Sequence, residues 1–260
     1  MAQFPIGQIR ISGLAAAVPG QRASNQSLDL MSEKDRDLLI RTTGIETRRI
    51  APQGLTAADL CEAPARKLLE ALDWAPEEVE MLVFVTQTPD YVIPGTATQL
   101  QARLGLSTRC MALDINQGCA GYVYGLSTMA ALMSAGKVGK GLLLVGDTIT
   151  HTLSPKDKST VPIFSDGGSA TALEWDANAS GMFFDLQSQG AGFRAIYVPE
   201  GGGRVPATQD SKEIVEAVPG IFRAGTDLAM QGLDVFNFAL KEVAPNVRNL
   251  LEFAECDVDA

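Results

Sequence analysis

Histidine is almost missing from this sequence: His151 is the only one among 260 residues. Cysteine is scarce as well, with four residues at 61, 110, 119 and 256 and no Cys-x-x-Cys spacing. The common zinc sets draw several such ligands together at short spacing, so no metal is expected. Long apolar runs are missing too. Gly141-Leu-Leu-Leu-Val-Gly146 and Met81-Leu-Val-Phe-Val85 fall far short of the roughly 20 residues that cross a bilayer. The N-terminal Met-Ala-Gln-Phe-Pro-Ile has neither the basic segment nor the apolar run of a secretory signal, which gives a cytoplasmic protein with reduced thiols and no membrane partner as the expectation. No stretch is rich in Lys and Arg, and the formal net charge is −10, which argues against nucleic acid as a partner. The same charge offers an acidic carrier protein no general attraction, so such a partner would need a local basic patch.

What is present belongs to a globular protein. Apolar residues make up 46% of the chain and charged ones 20%, enough for a sizeable core in one large domain or two fused halves. Apolar and polar segments alternate in an α/β pattern without a short repeat. Strands are expected over 6–18, 43–50, 81–85, 111–115, 141–146, 161–164 and 168–174. Helices are expected over 27–40, 56–72, 95–104, 120–135 and 227–243, the third closed by Gly105. Residues 120–135 are rich in Ala, Gly, Ser, Met and Leu on every face, which predicts a helix surrounded by protein. Residues 199–220, with Gly201-Gly-Gly203 and prolines at 199, 206 and 219, have loop composition.

Cys119 is the residue whose setting points to chemistry. It follows a strand through Asn116-Gln-Gly118 and precedes a helix, where the positive end of the helix dipole stabilises a thiolate. Gly118 and Gly121 leave little bulk beside the sulfur, and unpaired N–H groups of the first helical turn can bind an oxyanion. On spacing alone a small inert core cysteine is an equal alternative. A hydrolase-type nucleophile elbow is disfavoured, because it needs glycine at 117 and the residue is Gln117.

Asp114-Ile-Asn-Gln-Gly-Cys-Ala-Gly-Tyr122 resembles the active-site segment of the β-ketoacyl synthase III family. Three other stretches agree in order and spacing: Arg41-Thr-Thr-Gly-Ile45 with Arg48-Arg-Ile50, Thr86-Gln-Thr-Pro-Asp90 through Pro94, and Pro155-Lys-Asp-Lys-Ser-Thr160 running into Phe164-Ser-Asp-Gly-Gly168. The resemblance implies a thiolase-like α/β fold of two similar halves in α-β-α-β-α layers. Here residues 1–175 would form the half carrying the nucleophile and 176–260 the start of a second, incomplete half. It further implies a homodimer that acylates Cys119 from acyl-CoA and then condenses it with malonyl-acyl carrier protein, in fatty-acid or related synthesis. The backbone N–H of Cys119 would be one oxyanion donor, and no cofactor would be needed beyond the CoA thioester as substrate.

By the same resemblance Phe164, Gly232 and Phe236 would line the pantetheine tunnel, and Ile93 would be the residue a partner subunit inserts to close the acyl pocket. For Phe164 and Phe236 ordinary core packing is the alternative, and Asp166-Gly-Gly168 reads equally as a tight turn needing a positive φ at glycine. Leu38 and Thr42 stand where the family has a nucleotide-stacking tryptophan and its arginine partner. Lys158 replaces another nucleotide-contacting arginine, keeping the charge and losing the flat guanidinium. An acyl-carrier protein is therefore a second candidate donor. The family's His-Gln-Ala-Asn and Gly-Asn-Thr stretches do not occur in the sequence, and neither does the glycine-rich segment that gives the second oxyanion donor. That histidine and asparagine are expected beyond Ala260. His151 reads as a solvated loop side chain. Two other functions fit the departures: an acyltransferase making an ester or amide, and a non-catalytic subunit paired with an active synthase.

Overall fold

The structure, a computed structural model, describes residues 2–257; Ala260 lies outside them. Its central element is a five-stranded sheet in the order β2-β8-β7-β5-β6, built from β2 (Ile9–Ala17), β5 (Met81–Val85), β6 (Met111–Ile115), β7 (Lys140–Asp147) and β8 (Gly167–Trp175). Strand β5 pairs in parallel with β6 and β7, whereas β8 runs antiparallel to both β7 and β2. Outside it lie β1 (Ala2–Ile6) and a short pair, β3 (Arg22–Ser24) with β4 (Thr47–Arg49), whose strands flank helix α1 (Glu33–Thr43) in the chain.

All five residues of β5 are buried, which explains why Met-Leu-Val-Phe-Val shows no polar alternation. Leu82 and Phe84 face α2 (Ala57–Ala71) and α3 (Thr96–Arg103) together with Leu142 and Leu144. Met81, Val83 and Val85 face α4 (Gly121–Gly136), meeting Met129, Ala130 and Met133. Each large side chain so buried contributes about 1.5–3 kcal/mol.

Helix α2 begins in a reciprocal cap, in which the Asp59 carboxylate accepts from the Thr56 N–H at 3.0 Å and the Thr56 hydroxyl accepts from the Asp59 N–H. Its sheet-facing residues, Ala57, Ala58, Cys61 and Ala65, are small, so the helix comes very close to β7 and β8. Pro64 within α2 has no N–H to give the Leu60 carbonyl, and Gly168 of β8 packs against that same carbonyl. Neither Gly167 nor Gly168 has a positive φ: both are strand residues, so the tight-turn alternative is wrong. What Gly168 supplies is the absence of a side chain at a close backbone approach.

Several boundaries move. The strand expected over 6–18 is two strands, broken at Gln8 with φ 65°. Helix α1 starts at Glu33, where the Ser32 hydroxyl accepts from the Asp35 N–H. No strand forms over 161–164, because Val161 donates to the Asp157 carbonyl and Ile163 to that of Thr160, winding the segment into turns around Pro162. The helix expected over 227–243 begins later. Residues Ala229–Met230 form β13 against β10 (Ile196–Tyr197), and helical structure runs from α5 (Gly232–Phe238) through a π-helical stretch, Ala239–Val243, into α6 (Ala244–Phe253). Pro245 has no N–H for the regular ladder, which accounts for the irregularity.

Before α5, β9 (Met182–Leu186) pairs with β1, and β11 (Val215–Val218) with β12 (Ile221–Arg223) forms a hairpin inside the expected loop. Helix α6 lies on β9, with Phe253 edge-on to Phe183 at 5.8 Å. Helix α4 is only half surrounded. Gly121, Gly125, Met129, Ala130 and Met133 bury against the sheet, whereas Val123 and Leu132 are 44% and 41% exposed. Its expected burial on every face fails on the side away from the sheet, where Val123 lines a cavity rather than a packed contact.

Candidate active site around Cys119

Strand β6 ends at Ile115, the chain turns through Asn116-Gln-Gly118, and Cys119 stands just before Ala120, the N-cap of α4. The turn is closed by the Gly121 N–H donating to the Gly118 carbonyl at 2.7 Å. Cys119 is exposed, and its own N–H donates to no acceptor among the described residues. Thiol and amide N–H are thus both open to a substrate at the positive end of a 16-residue helix.

The helix is seated by glycines. A Cβ on Gly121 would lie 2.8 Å from Val85 Cγ1, and one on Gly125 would lie 2.7 Å from Val85 Cγ2 and 2.8 Å from Leu143 Cδ1. Only glycine lets α4 settle onto β5 and β7 at this depth. At Gly118 a Cβ would meet only the far end of the Gln87 side chain, Oε1 at 2.7 Å, and Gln87 Nε2 reaches Asn116 Oδ1 at 3.4 Å.

Two carboxylates fix the surrounding loops, and the sequence reading missed both. Asp147, at the end of β7, accepts from the Gln87 N–H at 2.7 Å, the Thr88 N–H at 3.0 Å and the Thr86 and Thr88 hydroxyls at 2.9 Å each. Asp114, in the cysteine segment itself, accepts from the Thr96 and Ala97 N–H groups at 2.6 Å each, capping α3. The signal for Asp114 was an acidic residue late in a strand five residues before Cys119; nothing local marked its partners, 17 and 18 residues upstream. A third, Asp166, is buried and accepts from the Ala51 N–H at 2.7 Å and the Thr150 N–H at 3.0 Å, joining three segments.

The other cysteines separate by environment. Burial pushes the Cys61 thiol up to about 12, and burial with the nearby Glu80 charge pushes Cys110 up to about 11. Cys256 is exposed near the end of the described residues. His151 is exposed on a 3₁₀-helical turn, Ile149–Thr152, and its Nε2 donates to the Ala51 carbonyl at 3.0 Å.

The remaining candidates are placed separately. Ile93, 83% exposed, projects from the loop between β5 and α3, before cis-Pro94. Phe164 is half-buried and Lys158 exposed, both on the excursion between β7 and β8. Gly232 opens α5, and Phe236, one turn on, is 58% exposed. The Leu228 N–H donates to the Thr152 carbonyl at 2.7 Å, tying the approach to α5 to that excursion. A cavity of about 370 Å³ lies beside the N-terminus of α4, between Ala120, Tyr124, Asp185, Glu242 and Asn246; Ile93, Phe164, Gly232 and Phe236 do not line it. Among the described residues no group of three or more His, Cys, Asp or Glu side chains could hold a metal ion. Among them, no helix is long and apolar enough to cross a membrane.

A family model described as 3-oxoacyl-[acyl-carrier-protein (ACP)] synthase III matches residues 113–191, the stretch that holds Cys119 and β8. A β-ketoacyl-[acyl-carrier-protein] synthase III of Rhodopirellula baltica is 31% identical over 96% of this chain and 75% of its own length. The crystal structure of a 3-oxoacyl-(acyl-carrier protein) synthase from Burkholderia xenovorans LB400 is 34% identical, with a TM-score of 0.90 over 99% of this chain and 72% of its own. That of a 3-oxoacyl-(acyl carrier protein) synthase III from Pseudomonas aeruginosa PAO1 is 30% identical, with a TM-score of 0.77 over 96% of this chain and 72% of its own.

Proposed function

Since the chain belongs to the 3-oxoacyl-[acyl-carrier-protein] synthase III family of condensing enzymes, with its α/β thiolase-like fold, we propose that Cys119 is its nucleophile and accepts an acyl group from acyl-CoA or an acyl-carrier protein. The observation that carries this is the exposed thiol at the start of α4 beside its own free N–H. The sulfur attacks the thioester carbonyl, the Cys119 N–H holds the oxyanion, and the donor's C–S bond breaks as its thiol leaves with the proton. Gly121 contributes by seating α4 against Val85, which fixes where the thiol stands. In the second step the carbanion from decarboxylation of malonyl-carrier protein attacks the Cys119 thioester, forming the C–C bond and returning the thiolate. The histidine and asparagine that the family uses in that step are not among these 260 residues, so this chain's own residues are assigned the acylation half. No cofactor takes part beyond the thioester substrate.

Two further assignments rest on the family. Phe164, Gly232 and Phe236 line the path of the pantetheine arm, and Lys158 meets the nucleotide end of a CoA donor. The enzyme works in the cytoplasm as a homodimer in which Ile93 reaches the partner's acyl pocket. Strand β6 supports the dimer, since it is the sheet's edge, pairs with β5 on one side only, and exposes Met111.

Intact-mass spectrometry of the protein incubated with acyl-CoA, and separately with acyl-carrier protein, tests the nucleophile. One acyl-sized adduct is expected from at least one donor, absent in Cys119→Ala. An adduct that persists in Cys119→Ala, or none from either donor, overturns the assignment.

A further inference from the structure

Lys158 is an exposed cation without an ion-pair partner among the described residues. Its Nζ lies against the Pro219-Gly220 turn of the β11–β12 hairpin, 3.2 Å from where a Cβ on Gly220 would sit. Gly220 has φ 75°, and its N–H donates to Glu216 Oε1 at 2.8 Å, which draws the hairpin's nearest carboxylate onto its own backbone. The other end of the hairpin holds the segment that carries Lys158. Arg223 Nη1 is 3.4 Å from Asp157 Oδ2, and the Asp157 side chain is fully buried. Its other oxygen accepts from the N–H and hydroxyl of Ser159 at 2.8 and 2.5 Å. Without Arg223 this buried carboxylate keeps the Ser159 donors and loses its ion pair, so Arg223 stabilises the turn.

We infer that the β11–β12 hairpin sets the position of Lys158 from two sides, the Pro219-Gly220 turn and the Arg223–Asp157 pair, which makes Arg223 a positioning residue for recognition of the phosphates at the nucleotide end of a CoA thioester. This rests on the assignment of Lys158 to that end of the donor. Lysine is a point charge on a flexible stem, whereas arginine presents a rigid planar fork. A hairpin against the amine restores from outside some of the order that the side chain lacks.

The test is calorimetric titration of the full chain with CoA and with pantetheine, which lacks the nucleotide and its phosphates. The readout is the ratio of the two dissociation constants. In the wild type CoA binds tighter, and Lys158→Ala lowers that preference by about two- to fivefold, the range for one exposed charge contact. Arg223→Ala lowers it by a similar factor with pantetheine binding unchanged, and Arg223→Lys recovers most of it. Gly220→Ala, which strains the hairpin turn at its φ of 75° and places a methyl group against the amine, lowers it too, and it carries the test if Arg223→Ala does not fold. A wild type without preference for CoA, or a Lys158→Ala variant that retains it, refutes the assignment of Lys158 and the inference with it. A loss in Lys158→Ala that neither Arg223→Ala nor Gly220→Ala reproduces overturns the inference alone, as does equal weakening of both ligands in Arg223→Ala.

Discussion

Replacing Gly168 with alanine inserts one methyl group where β8 meets α2. Its carbon would sit 2.6 Å from the Leu60 carbonyl carbon, 2.7 Å from that carbonyl's oxygen and 2.8 Å from the Cys61 nitrogen. Ordinary contact begins near 3.4 Å, so about 0.8 Å of relief is needed, and each of these atoms is backbone. No side chain can rotate aside. Helix α2 buries eight residues from Ala57 to Leu69 and cannot lift at one point without unseating the rest. Overpacking of this kind costs about 1–3 kcal/mol, and a backbone-on-backbone clash belongs at the upper end. At about 2–4 °C per kcal/mol for a domain near this size, Gly168→Ala should lower the melting temperature by roughly 6–12 °C. Gly167→Ala is the control, since its nearest neighbours are 3.6 Å away and its φ is not positive; it should be neutral or slightly stabilising. Thermal unfolding by circular dichroism measures both. A Gly168→Ala protein as stable as the wild type, or a Gly167→Ala protein that is the worse of the two, would refute this packing argument.

Alkylation of the native protein at pH 8 should modify Cys119 and Cys256 and spare Cys61 and Cys110, whose thiols burial pushes up to about 12 and about 11. Peptide mapping reads this directly, with modification of all four expected in denaturant. Asp59 gives a pH dependence. Burial pushes its carboxyl up, but the Thr56 N–H, Arg103 and the Thr56 hydroxyl outweigh it, and the folded value lies below the ordinary one. A depressed carboxylate stabilises the fold above its unfolded value, about 3.9, and that contribution is lost as pH falls through the folded value. Asp59→Asn should therefore be less stable than the wild type at pH 7, with the difference shrinking in urea titrations below about pH 4. A difference that grows with acidification would contradict the sign.

The parts of the fold legible in the sequence were those governed by local periodicity. The spans of α2, α3, β5 and β6 follow from apolar spacing and end where expected, and Gly105 does adopt φ 74°. The misplacements have a common physical origin in long-range pairing. Val161 to Phe164 looks like a strand but spends its hydrogen bonds on Asp157 and Thr160. Leu228 continues the apolar spacing of α5 but gives its N–H to Thr152, 76 positions earlier in the chain. The hairpin of β11 and β12 is hidden in a stretch with the proline and glycine content of a loop. In the site, Cys119 and its glycines were legible because they adjoin in sequence. Asp147 and Asp114 were not, since each serves backbone groups from 17 to 60 residues away.

The Asp114 contacts carry a consequence for how the neighbouring loop can diverge. The carboxylate holds main-chain N–H groups of Thr96 and Ala97, at the far end of the loop that presents Tyr91, Val92 and Ile93 to solvent. An anchor to the main chain is indifferent to which side chains the loop bears. Residues 91–93 can therefore drift in size and shape while the segment leading to the thiol stays where it is. Novelty in what the loop touches is decoupled from the placement of Cys119.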